Sequence, residues 1–301
     1  MIMEGVNADL AVSTSGTSSL SKRVTSALIL LFLIVGVVYW GVWPVTFLVV
    51  TAIVICLVEY TAVLRQAGYR PRRIVGIITG LLLCAAAALR ELAPFELTDV
   101  ALTLSILVAL IAELPPRDRT GSLTNWALTF AGACYIGWLF SHYILLRQLT
   151  TPPLNTGLLT GLAISTGAAW VYLVLAITWF QDTAAYLVGR TWGRHKMAPY
   201  LSPHKSWEGA AGGFCASILA AWLSVFLLGL PLSYEAAALL GAAGGIAGPL
   251  GDLAESFIKR QIGVKDAGQI IPGHGGILDR ADSLLFTAPI LYYLILVLTV
   301  F

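Results

Sequence analysis

Charge is scarce in this sequence. Of 301 residues only 11% are Asp, Glu, Lys or Arg, while 58% are hydrophobic; an ordinary soluble domain carries roughly 25% and 45–50%. A fold in water could not hide so much apolar surface, so lipid must be the solvent for most of the chain. No poly-basic run is present, which excludes a grip on nucleic acid. Cysteine is sparse too. Cys56, Cys84, Cys134 and Cys215 stand singly in apolar stretches, without a CxxC pair or metal-ligand spacing, and read as packing residues. No Walker-type phosphate loop, HExxH or GxSxG motif occurs. No internal repeat is evident, which weighs against the duplicated architecture of many transporters.

What the chain does have is apolar segments long enough to cross a bilayer, roughly 17–25 residues each. They read as nine spans: 24–41, 43–63, 74–92, 97–114, 126–146, 160–180, 209–229, 235–255 and 280–300. The third and fourth are the weakest, interrupted by Arg90, Glu91, Pro94 and Glu96, and counts of eight or ten stay open. With nine spans and a cytoplasmic N-terminus, sixteen of the eighteen lysines and arginines fall in loops on the inner side; only Arg90 and Arg147 fall outside. That bias obeys the positive-inside rule. The fold class is therefore all-α: a polytopic helical bundle of about nine transmembrane helices, N-terminus cytoplasmic and C-terminus outside. Three regions follow: a Ser/Thr-rich disordered segment over 1–23, N-terminal transmembrane helices over 24–155, and C-terminal catalytic helices with cytoplasmic loops over 156–301. The first half reads as apolar helices with charges only in the loops.

From Asp182 onward, carboxylates, bases and glycines gather at the membrane boundary. Asp182 follows the sixth span; Ser202, His204, Lys205 and Glu208 lie in the loop after it. The eighth span ends in Asp252 and Glu255, and Asp279, Arg280 and Asp282 open the ninth; Lys259, Arg260, Lys265, Asp266 and His274 lie between. In the nine-span topology all of these reach the inner face, so segments distant in sequence bring their acids to one depth. Asp252 with Glu255, and Asp279 with Asp282, are three apart and share a helix face. Acids near hydrocarbon are costly unless paired or metal-bound, and several on facing helices make an oxygen-rich site suited to Mg²⁺. Bases beside them can take phosphate, and glycines around His274 let a backbone approach an anion. Metal-binding acids beside phosphate-binding bases is the grammar of phosphoryl or nucleotidyl transfer. Plainer roles compete: Arg65 to Arg73, Arg117 and Arg119 read as topology determinants, Asp252 with Asp279 as structural acids salt-bridged to Arg280 or Lys259, Glu208 as a first-turn residue completing a helix dipole, His274 as a loop histidine, and Gly241 with Gly245 as a close-packing pattern.

The stretch from Ser256-Phe257-Ile258-Lys259-Arg260 through Lys265-Asp266-Ala267-Gly268 to Pro272-Gly273-His274-Gly275-Gly276-Ile277-Leu278-Asp279-Arg280-Ala281-Asp282 resembles the signature of the phosphatidate cytidylyltransferases (CDP-diacylglycerol synthases). Nearly every specified position is filled across 27 consecutive residues; Ala281 is the one departure, where that family usually has a larger apolar residue or threonine. Segments 182–186 and 202–209 also resemble the family's upstream motifs.

The resemblance implies CTP and phosphatidic acid as substrates, CDP-diacylglycerol and pyrophosphate as products, and Mg²⁺ (or Mn²⁺) as cofactor, with a monovalent cation left open. It implies Asp252 and Asp279 as metal carboxylates, with Lys265 and Asp282 beside them as catalytic residues. Ser202, Lys205, Lys259, Arg260, His274, Arg280, Asp182 and Asp266 would bind substrate. Membrane lipids are the surroundings and a homodimer is left open. The expected setting is the cell (inner) membrane, with the site facing the cytoplasm and a lateral opening for the lipid near the sixth, eighth and ninth helices. A polyprenol kinase, releasing CDP, is the near rival; an ion-coupled transporter built on Asp252 and Asp279 is the rival from another class.

Overall fold

A computed structural model describes residues 28–92, 96–114, 121–150, 157–264 and 276–300. The disordered segment expected over 1–23 lies outside these residues, as do Lys265, Asp266 and His274. Among the described residues there are nine principal helices. We number them α1 (Leu28–Trp40), α2 (Val42–Gln66), α3 (Arg73–Ala88), α4 (Leu97–Ile111), α5 (Ser122–Arg147), α6 (Thr166–Trp192), α7 (Trp207–Leu228), α8 (Tyr234–Ile262) and α9 (Leu278–Val300). Each of the nine spans read from the sequence falls on one of them. Six, namely α2 and α5 to α9, are long and apolar enough to cross a membrane. The 16 residues of α3 and 15 of α4 reach only about 24 Å at ~1.5 Å per residue, short of a hydrocarbon core of about 30 Å. The chain is thus an all-α, multi-pass membrane protein.

One departure from pure helix matters for function. Between α6 and α7 the chain forms an antiparallel hairpin, β1 (Lys196–Ala198) and β2 (Ser202–Ser206), where the sequence read only as a loop.

Helix ends follow from local chemistry. Ser165, Ser206 and Ser233 cap α6, α7 and α8, each hydroxyl accepting from the backbone N–H three residues on. Gly263 ends α8 in a left-handed conformation (φ 76°) that a residue with a Cβ rarely adopts.

The core runs through α2, α5, α6, α8 and α9, where Ile53, Ile144, Trp170, Ile177, Leu240 and Leu285 are fully buried. The polar half is drawn together by small residues. A Cβ on Gly241 would lie 2.5 Å from the Ile218 Cα, so α7 and α8 touch backbone to backbone, as the spacing of Gly241 and Gly245 led us to expect. The four cysteines are free; Cys56 and Cys84 are buried, Cys134 is partly buried and Cys215 faces outward.

Candidate active site

Five elements meet at one end of the bundle: the C-terminal part of α6, the hairpin, the first turn of α7, the C-terminal part of α8 and the N-terminus of α9. They enclose an open cavity of about 690 Å³. Of the residues singled out from the sequence, Asp182, Ser202, Lys205, Asp252, Asp279, Arg280 and Asp282 all line it, joined by His204, Arg190 and Lys196. Residues a hundred positions apart are brought to one place.

Ion pairs organise the acids. The Lys205 ammonium sits 2.7 Å from Asp252 Oδ2 and also donates to the Pro249 carbonyl at 3.3 Å, tying the hairpin to α8. Ser256 Oγ donates to the other oxygen of Asp252. Lys259 bridges two helices, 2.5 Å from Glu255 Oε2 one turn earlier on α8 and 2.7 Å from Asp279 Oδ1 on α9. The Gly276 amide donates to Asp279 Oδ2 at 2.9 Å. Asp282 is buried and accepts from the Ser283 backbone N–H, while Ser283 Oγ donates to Asp182 on α6. Pairing of this kind is what lets charge persist beside hydrocarbon, because an unpartnered ion there carries a large desolvation cost.

Other residues hold the framework. Arg260 donates to the Leu201 carbonyl and fixes the hairpin turn without lining the cavity, and Lys259 likewise lies behind the wall. Glu208, in the first turn of α7, accepts from the backbone N–H groups of Arg194 and His195 and pairs with His195 Nδ1 at 2.6 Å. It anchors the start of the hairpin, in keeping with a first-turn role.

Sequence reasoning missed a residue altogether. The first half is not free of internal charge: Glu59, inside α2, is buried and accepts from the backbone N–H groups of Ile277 and Leu278 at the start of α9. Its signal was a lone acid in an otherwise apolar span. Gln181, buried beside Asp182, was also passed over.

A second, apolar groove of about 250 Å³ runs from Arg280 along α1, α2, α5, α6 and α9; its walls include Ile34, Val49, Ala52, Phe140, Leu175 and Leu284. Arg280 lines both spaces. This groove touches α6 and α9 on their α1–α2 side and is not lined by α8, whereas the lateral opening was expected near the sixth, eighth and ninth helices.

Donor chemistry in the polar cavity suits a hard cation, since every acid there offers oxygen. Among the described residues no three His, Cys, Asp or Glu side chains form a group that could hold a metal by themselves. Mg²⁺ does not need such a cage: it takes one or two carboxylates and completes its shell with water and substrate phosphate oxygens. The residues present fit that mode.

Comparison with known proteins bears out the resemblance read from 256–282. Residues 21–298 match the profile of the Cytidylyltransferase family. A phosphatidate cytidylyltransferase of Synechocystis is 33% identical, the match covering 92% of this chain and 97% of that protein. One from Bacillus subtilis is 31% identical over 90% and 94% of the two chains. A chloroplast phosphatidate cytidylyltransferase of Arabidopsis thaliana is 34% identical over 91% of this chain and 71% of its own. Matches of this length span both the polar cavity and the N-terminal helices, and this chain belongs to the cytidylyltransferase family.

Proposed function

We propose that the chain is a phosphatidate cytidylyltransferase that makes CDP-diacylglycerol from CTP and phosphatidic acid. In the reaction an oxygen of the phosphatidate phosphate attacks the α-phosphorus of CTP; the new P–O bond forms as the bond to the β-phosphate breaks, and pyrophosphate leaves. That phosphate is already a nucleophile near neutral pH, so the protein's task is to bring two polyanions together in line and offset their charge. The observation that carries the reading is the convergence of four aspartates with Lys205 and Arg280 around one cavity that adjoins an apolar groove.

In this reading Lys205, Arg280, Arg190 and Lys196 take phosphate oxygens, and Ser202 contributes a hydroxyl. Asp252 and Asp279 hold a divalent ion, Mg²⁺ or Mn²⁺, with Asp182 and Asp282 beside them. A divalent ion bound there would supply positive charge against the nucleotide phosphates. Lys259 orients Asp279 and does not contact phosphate; Arg260 keeps the hairpin closed. The lipid headgroup phosphate lies at Arg280 and one acyl chain enters the apolar groove. Orientation follows the lysine and arginine bias: nine spans, N-terminus inside, and the cavity open to the cytoplasm, where CTP is found.

The test is turnover by purified protein in liposomes containing phosphatidic acid, with CTP labelled in the cytidine and Mg²⁺. Label entering the lipid with pyrophosphate release, abolished by EDTA and by Asp279→Asn, is the expected result. Labelling that survives Asp279→Asn would remove that residue from the metal site. CDP release on an added polyprenol would move the reading to the kinase, and neither activity in folded protein would reopen the transporter.

A further inference from the structure

Glu59 has no place in the reaction just described, and among the described residues its half of the chain supplies no other carboxylate to the start of α9. It is 3% exposed, and among the described residues no basic side chain pairs with it. Such a carboxylate is expensive unless something positive meets it. What meets it is the amide end of α9. Ile277 N donates to Oε1 at 3.1 Å and Leu278 N to Oε2 at 2.9 Å, so both oxygens are engaged by consecutive backbone donors at the positive end of a helix dipole. The preceding amide, Gly276 N, donates to Asp279 Oδ2 at 2.9 Å. Three successive N–H groups thus divide between an acid of the cavity and an acid from α2.

The absence of a side chain at Gly276 makes room for the Glu59 carboxylate. A Cβ there would lie 2.8 Å from Glu59 Oε2 and 3.0 Å from its Cδ, closer than real Cβ atoms ordinarily approach. Fixing Ile277 and Leu278 fixes the first turn of α9, which carries Asp279, Arg280 and Asp282 into the cavity. Lys259 holds Asp279 from the α8 side and Gly276 from the loop side, but both act on the side chain alone. Glu59 holds the backbone.

We infer that Glu59 is a positioning residue for the α9 acids: the N-terminal helices set the geometry of a site to which they contribute no reacting group. This rests on the cytidylyltransferase reading for its catalytic consequence, though not for its structural one.

Two variants strain the same contact from opposite sides. Glu59→Gln keeps the shape but turns an NH₂ group toward one of the two amides. Gly276→Ala keeps every charge and displaces the carboxylate sterically. Both are expected to lower kcat at least tenfold, with the KM values for CTP and phosphatidic acid within threefold of wild type, the protein still folded and any fall in melting temperature confined to a few degrees. Hydrogen exchange supplies a readout independent of activity: peptides covering 276–286 should exchange faster in both variants, while peptides from α7 should not. A residue that merely fills space would lower stability and speed exchange generally. Folded Glu59→Gln protein with wild-type kcat and wild-type exchange at 276–286 would overturn the inference, and if Glu59→Gln does not fold, Gly276→Ala decides it by the same criteria. Faster local exchange in a protein whose wild type transfers no cytidylyl group would uphold the positioning and defeat the reaction.

Discussion

Replacing Gly251 with alanine should separate the two halves of the acid cluster by a calculable amount. Gly251 precedes Asp252 on α8 and faces α9 where Asp282 leaves it. An added methyl group would meet the Asp282 carbonyl oxygen well inside van der Waals contact, and would lie 3.2 Å from the carbonyl carbon and 3.1 Å from the Phe286 Cβ. Carbon atoms rest at about 3.5–4.0 Å, so α9 must retreat from α8 by about half an ångström or more. Overpacking of that size typically costs about 1–3 kcal/mol of stability. A misplacement of about 1 Å can cost on the order of a hundredfold in rate, so kcat for label transfer is expected to fall about ten- to a hundredfold. Gly36→Ala on α1 is the control, since nothing lies within 4 Å of its added Cβ and it should leave kcat and melting temperature unchanged. If Gly251→Ala melts at the wild-type temperature with wild-type kcat, α8 and α9 do not set the distance between the acids, and the argument fails.

Lys205→Ala strips Asp252 of its ammonium partner and should reduce kcat/KM for CTP at least thirtyfold, about 2 kcal/mol; Arg260→Ala, which removes the bond to the Leu201 carbonyl, should reduce it less than fivefold in the same titration. Ala52→Phe fills the apolar groove and should raise the KM for dioleoyl phosphatidic acid while leaving that for the short dihexanoyl lipid unchanged; equal effects on both would remove the acyl chain from the groove. In a Cys215→Ser background, single cysteines at Gln66 and Tyr200 should react with an impermeant maleimide from one side of sealed vesicles and those at Leu92 and Leu162 from the other. Labelling of all four from one side would break the nine-span topology.

Much of the fold was legible because lipid imposes a strong rule. Nine apolar segments became nine helices, since backbone polar groups in hydrocarbon must be satisfied within the segment. The boundaries of α3 and α4 were not legible to the same degree: Arg90 and Glu91 sit in a separate short 3-10 turn, leaving helices too short to span on their own. The site was legible where residues of unusual cost sit at the end of an apolar run, as Asp182, Asp252, Asp279 and Asp282 do. The roles of Lys259 and Arg260 were not, because adjacent positions on α8 point one lysine at two carboxylates and its neighbouring arginine at a carbonyl, a distinction that depends on what packs alongside. The hairpin escaped because three- and five-residue strands leave no periodicity to read. Glu59 escaped because its partners are backbone amides, which no side-chain pattern announces.

Charge balance gives the strongest physical reason for a cation to accompany the nucleotide. Among the described residues the cavity wall carries Asp182, Asp252, Asp279 and Asp282 against Arg190, Lys196, Lys205 and Arg280, so the formal charges of these side chains cancel before any substrate arrives. A nucleoside triphosphate and a phosphatidate together bring several further negative charges to a boundary where uncompensated charge is costly. A neutral cavity cannot absorb them by itself. Lys205 is, however, already in place to trade partners: leaving Asp252 for a phosphate oxygen would free that carboxylate for a divalent ion, so that each charge stays paired before and after. An arrangement built only to bind phosphate would need no acids in the wall, and one built only to bind metal would not neutralise them with lysines. The coexistence of both, with Asp252 paired through Lys205 and Asp279 paired through Lys259, makes sense for a site that must accept a polyanion and its counter-ion together.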